Sequence, residues 1–272
     1  MPYLTWIAAT RRALVLITTT ALLAACGTGE GPDITAGWPP EKLYADARDE
    51  LNSGNWQQAI KQLEKLESRY PFGKWAQQAQ IDLAYANYKE GDRALALAAV
   101  DRFMKLHPNH SQLDYAYYLK GLINFNEQQG FMASLGGQDL SERDLRAARD
   151  AFDAFREVVT RWPDGRYADD ARERMRYLVN TMAQGEVKIA RYYFDRAAYV
   201  AAANRAESVV KLYQQTPAVE QALYILMISY EKLGMTDLQQ DAERVFKTNF
   251  PDSPLPRDGI AKIDRKWYQF WK

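Results

Sequence analysis

Cysteine and histidine are almost absent from this chain, whose 272 residues include one Cys and two His. A single cysteine excludes an intramolecular disulfide framework, and two histidines leave little for a histidine-based metal site. A charge surplus is absent too, with 35 Lys and Arg against 35 Asp and Glu. Broad nucleic-acid binding needs an excess of cations to neutralise phosphates, so that class is disfavoured. The most apolar stretch, Ala13 to Ala25, has 13 residues. It gives roughly 20 Å of helix against a hydrocarbon core of ~30 Å, too short to cross a bilayer. What the chain does have is 47% hydrophobic and 12% aromatic residues, enough for one or two folded domains.

The N-terminus reads as an address. Arg11 and Arg12 precede the apolar stretch, as in a secretory signal. It ends in Leu23-Ala24-Ala25-Cys26, so the only cysteine directly follows small residues. This resembles the bacterial lipobox, in which the cysteine thiol takes a diacylglycerol and becomes the acylated N-terminus. Residues 1–25 are then a cleaved signal. Multiple acyl chains anchor stably, at ~0.8 kcal/mol per buried CH₂, without a transmembrane helix. Gly27, rather than Asp, after the cysteine implies outer-membrane sorting by the same resemblance. Residues 26–40 then form a tether with four Gly and three Pro, expected to be flexible. Cleavage leaves 33 basic against 35 acidic residues, so the mature chain stays nearly neutral.

From Glu41 onward, Ala, Leu, Glu, Gln, Arg and Lys dominate without period-two alternation, which predicts helices. The chain also repeats itself at an interval of 37. Ala47, Ala84 and Gly121 keep it, as do Leu51, Tyr88 and Phe125. Gly54 pairs with Gly91, Ala59 with Ala96, Leu63 with Val100, Leu66 with Phe103, Pro71 with Pro108, and Ala197 with Gly234. A small residue on one helix, Gly at a turn, Ala on the next helix and a closing Pro describe a helical hairpin. The pattern resembles the tetratricopeptide repeat (TPR), lengthened by about three residues. The expected fold is all-α, a TPR superhelix (α-solenoid) of about five helix-turn-helix repeats. These run from about Glu41 to Pro71, Lys74 to Pro108, Ser111 to Pro163, Glu186 to Pro217 and Ala218 to Pro251. An extra helix, Tyr167 to Ala183, is expected between repeats three and four. The N-terminal repeats thus occupy 41–163, and the spacer helix, last repeats and tail occupy 164–272.

Catalytic signals are scarce. His107 and His110 flank Pro108 and Asn109, which break the helix that would put both rings on one face. A linker is the simpler reading than a metal site. Asp169, Asp170 and Glu173 lie among Arg166, Arg172, Arg174 and Arg176, a pattern of ion-paired helix surface rather than of two isolated catalytic carboxylates. No nucleophile–base arrangement and no Gly-rich phosphate loop is present. The expectation is a non-enzymatic protein without metal or cofactor, its one prosthetic feature being the lipid on Cys26.

Three segments stand apart. The insertion Asn126 to Leu140 sets Gly130, Gly136 and Gly137 around Phe131, Met132 and Leu135, and packs either on its own groove or on a partner. Ser141 and Asp144 then read as a helix-capping signal. The stretch Arg191 to Arg205 holds Tyr192, Tyr193, Phe194 and Tyr199 with Arg196 and Arg205. This is either a core stripe with solvated arginines or a Tyr/Arg interface. The tail, residues 257–272, carries five basic and two acidic residues with Trp267, Tyr268, Phe270 and Trp271. It either caps the last repeat or meets a partner or a membrane surface.

Longer motifs carry a closer resemblance. The lipobox, Arg69-Tyr-Pro71, LHPNH at Leu106 to His110 and DYAYYLKGLINF at Asp114 to Phe125 belong to it. So do QDLSERD at Gln138 to Asp144, RYADDARERMRYL at Arg166 to Leu178 and ARYYFDRAAYVAAANRA at Ala190 to Ala206. Together they resemble the BamD family, TPR lipoproteins of the outer-membrane β-barrel assembly (BAM) complex. Ala197 departs from that family, which often has Gly there. The resemblance implies a lipoprotein on the periplasmic face of the outer membrane, needed to fold and insert barrel proteins. The partners it implies are the POTRA domain of BamA, the lipoproteins BamC and BamE, and the C-terminal signals of unfolded barrel proteins. The family's interface arginine corresponds to Arg205, beside Asn204; Arg196 and Tyr199 complete the candidate partner surface. Candidates for the signal groove, from aromatic enrichment, are Tyr85, Tyr88, Tyr115 and Tyr118. The alternative is another periplasmic TPR scaffold that coordinates envelope or division proteins.

Overall fold

The turns between helices set the architecture. In a computed structural model that describes residues 33–125 and 142–255, four helix ends close in the same way. Gly54, Gly91 and Gly234 adopt left-handed φ of 76°, 93° and 69°, and Ala197 joins them at 59°. After each, a backbone N–H reaches the carbonyl five residues back: Asn55 to Glu50, Asp92 to Asn87, Ala198 to Tyr193 and Met235 to Tyr230, at 2.9–3.0 Å. This satisfies carbonyls orphaned at the helix end and turns the chain sharply into its next helix.

Ten helices result among the described residues. They are α1 (Pro40–Ser53), α2 (Trp56–Arg69), α3 (Lys74–Glu90), α4 (Arg93–Leu106) and α5 (Leu113–Asn124). Then follow α6 (Glu142–Arg161), α7 (Ala168–Asp195), α8 (Tyr199–Leu212), α9 (Ala218–Lys232) and α10 (Thr236–Asn249). Four of the even-numbered helices stop two residues before a proline, at Pro71, Pro108, Pro163 and Pro251. A residue preceding proline is pushed out of the helical region, so the stops are written locally.

Each helix packs on the next, and α1 also meets α3, α3 meets α5, and α7 meets α9. The odd-numbered helices therefore form one layer and the even-numbered helices back it, as a helical solenoid requires. The 37-residue interval marks the core: Ala47 and Ala84, Ala59 and Ala96, Leu63 and Val100, Leu66 and Phe103 are all fully buried. Four apolar clusters line up along the stack instead of one central core.

Two features differ from the sequence reading. The spacer helix and the first helix of repeat four are one continuous helix of 28 residues, α7. At 1.5 Å per residue it is about 42 Å long. Gly185 sits buried inside it and does not interrupt it, because neither a proline nor a left-handed residue follows to stop the hydrogen-bond ladder. Residues 33–39, read as tether, are held to the first hairpin. The Asp33 carboxylate accepts from the backbone N–H and hydroxyl of Thr35 at 2.9 and 2.6 Å. Arg69 donates to Asp33 and to the Thr35 carbonyl, and the Tyr70 hydroxyl donates to the Trp38 carbonyl at 2.9 Å. Thr35 is buried. These bonds, led by those from Thr35, hold the Asp33 carboxyl at about 2, below the usual carboxylate range. The signal, Cys26, the 126–140 insertion, Ser141 and the Asp144 side chain of the expected cap, and the 257–272 tail lie outside what the structure describes.

Gly121, third in the Ala47–Ala84 series, marks a close helix approach. A Cβ there would lie 2.4 Å from Cε1 of Phe155, a ring fully buried between α5 and α7. Gly121→Ala should therefore destabilise the protein by about 1–3 kcal/mol, the usual cost of overpacking. The check is the denaturation midpoint in urea, and an unchanged midpoint would contradict the close packing.

Candidate functional site

Two surfaces gather the residues singled out in the sequence. The first runs along the odd-numbered helices α1, α3, α5 and α7. Tyr115 and Tyr118, three apart on α5, face the same way, and Tyr167 at the start of α7 stacks on Tyr118 at 4.7 Å and meets Tyr115 at 5.7 Å. The Tyr118 hydroxyl donates to Asp170 at 2.7 Å, and the Arg174 Nε donates to the same oxygen at 2.6 Å. Burial, then the hydrogen bond and charge of Asp170, push the Tyr118 phenol up to about 12.

The row continues towards the N-terminus. Asp82 on α3 is buried, accepts from the Tyr44 hydroxyl at 2.7 Å and lies 3.7 Å from Arg48 of α1. Burial raises the Asp82 carboxyl above its ordinary range, against the pull of Tyr44 and Arg48. Burial, then the Asp82 charge, raises the Tyr115 phenol as well. Tyr85 meets Trp56 edge-on at 6.0 Å and packs against the apolar clusters of the first two hairpins. Tyr88 packs against the second cluster. All four tyrosines pack against the apolar clusters, Tyr115 on the same one as Tyr85 and Tyr88 and Tyr118 on the next, and Tyr115 and Tyr118 also share one aromatic row with Tyr167. A surface of phenols, a buried and a half-exposed acid, and partly exposed arginines can stack against aromatic rings and hold a carboxylate.

The second surface is the α7–α8 turn. The Arg196 guanidinium lies 3.6 Å from the centre of the Tyr192 ring, and Tyr199 meets Phe194 edge-on at 5.6 Å. Ala197, Ala198, Tyr199, Val200, Ala201, Asn204 and Leu233 line a shallow depression of about 430 Å³. Arg205, one turn on, is 47% exposed, and its Nη1 lies 3.2 Å from Oε2 of Glu186. Arg149 of α6 reaches Oε1 of the same carboxylate at 3.4 Å, and the Glu186 side chain is only 6% exposed. Two arginines from separate helices thus satisfy one buried acid, and Arg205 keeps its outer face in solvent. A planar guanidinium with spare donors can take a second carboxylate.

Sequence reasoning missed Tyr44, Arg48, Asp82 and Glu186. The signal was an acid set among core positions, Asp82 between Ile81 and Leu83 and Glu186 between Gly185 and Val187. It did single out Asp169, Asp170 and their arginines, and the pairs Asp169–Arg172 and Asp170–Arg174 form at 2.6 Å. The bond from Tyr118 ties Asp170 to the aromatic row as well. His107 points Nε2 at Gln80 Oε1 at 2.8 Å, and the Gln112 backbone N–H donates to His110 Nδ1 at 3.1 Å, so the two rings serve the α4–α5 turn.

Comparison with known proteins agrees with the lipoprotein motifs. The family model YfiO, described as outer membrane lipoprotein, matches residues 37–245. A protein of Neisseria meningitidis serogroup B named outer membrane protein assembly factor BamD is 46% identical over 265 residues, covering 96% of this chain and 99% of its own length. Proteins of the same name from Vibrio cholerae and Haemophilus influenzae are 38% and 33% identical, covering 84% and 94% of this chain and 95% and 97% of their own. Among solved structures, the MamA protein aligns with a TM-score of 0.32 and 17% identity over 78% of this chain and 91% of its own, too remote to argue from.

Two outcomes follow from the geometry. Ala197 is the one non-glycine residue with positive φ among the described residues. A left-handed alanine costs about 1–2 kcal/mol, while glycine's extra freedom in the unfolded chain returns part of that. Ala197→Gly should therefore stabilise the protein, raising its melting temperature and leaving the α7–α8 turn intact; a lowered melting temperature would contradict a strained turn. For Tyr118, whose folded value of about 12 lies above the ordinary phenol near 10, the stabilising contribution is complete below pH ~10 and lost as pH rises through about 12. Ultraviolet titration should show one phenol ionising near pH 12 that is missing from Tyr118→Phe.

Proposed function

Because the chain belongs to the BamD family of outer membrane lipoproteins, we propose that it is a non-enzymatic scaffold of the BAM complex, needed for folding and inserting β-barrel proteins into the outer membrane. The chain is held on the periplasmic face of that membrane by acyl groups on Cys26. The described residues contain no helix long and apolar enough to cross a membrane. The C-terminal hairpins meet the POTRA domain of BamA, with Arg196, Tyr199, Asn204 and Arg205 at the contact. BamC and BamE bind elsewhere. The N-terminal hairpins receive the C-terminal signals of unfolded barrel proteins, along the surface that holds Tyr85, Tyr88, Tyr115 and Tyr118.

The observation that carries the partner assignment is the arginine pair on Glu186. A buried carboxylate shared by Arg149 and Arg205 fixes the Arg205 guanidinium on the surface beside an exposed aromatic turn. A guanidinium oriented in advance loses less freedom when it meets a partner's acid.

The test is a detergent pull-down from the native envelope with wild type, Arg205→Gln and Arg205→Glu. The barrel-forming subunit should come down with wild type, less with the glutamine variant and least with the glutamate variant. Circular dichroism melting would check that each variant is folded, since a glutamate placed beside Glu186 also strains the chain itself. Absence of the barrel subunit from the wild-type sample would contradict the BAM reading. Equal recovery with all three would contradict the role of Arg205 alone.

A further inference from the structure

The docked segment 33–39 changes what the anchor can do. Only six residues, Gly27 to Pro32, separate Cys26 from Asp33. Fully extended they span about 25 Å, so the edge of the solenoid where Asp33 is tied lies within that distance of an anchor on Cys26.

That edge is apolar and exposed. Ile34 is 83% and Phe72 89% exposed, the two most exposed large hydrophobic side chains among the described residues. Both belong to the same end of the first hairpin, because Arg69 ties the segment around Ile34 to the end of α2, three residues before Phe72. Two tryptophans flank them, each with a lysine over its ring: Lys42 lies 4.0 Å from the centre of Trp38 and Lys74 lies 4.8 Å from that of Trp75. The Trp75 indole also donates from Nε1 to Glu41 at 2.9 Å, and the Trp38 backbone is held by the Tyr70 hydroxyl, which donates to its carbonyl. Exposed apolar tips, rings with one wet side and ammonium groups beside them match the layered chemistry of a bilayer surface. There apolar groups enter the acyl boundary, indoles sit at headgroup level and lysines meet phosphates.

We propose that Ile34, Trp38, Phe72 and Trp75, with Lys42 and Lys74, form a membrane-docking surface that seats on the phospholipids around the anchor. The lipid then supplies attachment, and this surface fixes how the solenoid is oriented. The inference rests on acylation of Cys26.

The experiment uses the mature acylated chain bound to phosphatidylethanolamine/phosphatidylglycerol vesicles. Acylation blocks the only native thiol, so a cysteine introduced at position 34, 72 or 212 takes an environment-sensitive fluorophore at one place. Positions 34 and 72 lie outside helices, and Leu212, exposed at the end of α8, serves as the distant control. On vesicles, Ile34→Cys and Phe72→Cys labels should shift to the blue and lose most of their quenching by aqueous iodide, whereas the Leu212→Cys label should change little. Labels at 34 and 72 that stay as quenchable as the one at 212 would overturn the proposal. So would shielding without vesicles that grows with protein concentration, which would mean that a second copy covers the edge. Mass spectrometry of the mature N-terminus separates the two readings. An unacylated Cys26 removes the anchor and this inference together, while an acylated chain with unshielded labels removes only the docking surface.

Discussion

One backbone contact shapes this protein more than any other, the bond from the residue after a left-handed turn to the carbonyl five residues before it. It occurs at Gly54, Gly91, Ala197 and Gly234. Each time it reverses the chain within two residues and delivers the next helix against the previous one. The apolar stripes then have one way to meet, so stacking follows from turn geometry together with the small residues that let helices approach. Cost collects where the rule is kept with the wrong residue, at Ala197, and that position lies on the surface assigned to the partner. A strained turn beside a binding surface is a common compromise, since function and stability select different residues there.

Much of this was written in the sequence. The 37-residue interval named the core in advance, because a repeated fold must bury the same positions each time. Gly54, Gly91 and Gly234 marked turns, and Pro71, Pro108, Pro163 and Pro251 marked helix ends, because their backbone restrictions are local. Ala197 broke the chemical pattern while keeping its spacing, so its turn could be read only from register. The long helix α7 was less legible. Gly185 resembles a break by composition, yet buried packing on α8 and α9 keeps the ladder running through it. The docking of residues 33–39 depends on Arg69, 36 residues away from Asp33, and no local pattern foretells such a contact. Asp82 and Glu186 were hidden for the same reason: their partners, Tyr44, Arg48, Arg149 and Arg205, come from other helices.

The polar groups divide by role. Asp33 and Arg69 hold the N-terminal segment to the first hairpin. Asp82 and Asp170 tie phenols and arginines across the layer of odd-numbered helices, giving that surface a fixed shape. Glu186 orients two arginines at the other end of the chain. The proposed functions fall on these three polar stations, and each joins elements distant in sequence. The proposed membrane contact, client row and partner turn thus occupy separate places along one stack, as a scaffold with several partners requires.

The most direct measurement of the central claim is the amount of folded β-barrel protein in the outer membrane of cells depleted of this chain, read by heat-modifiable mobility on gels. The account predicts that folded barrel proteins fall as the chain is depleted and return when it is re-expressed. Unchanged levels of folded barrel proteins after complete depletion would contradict it.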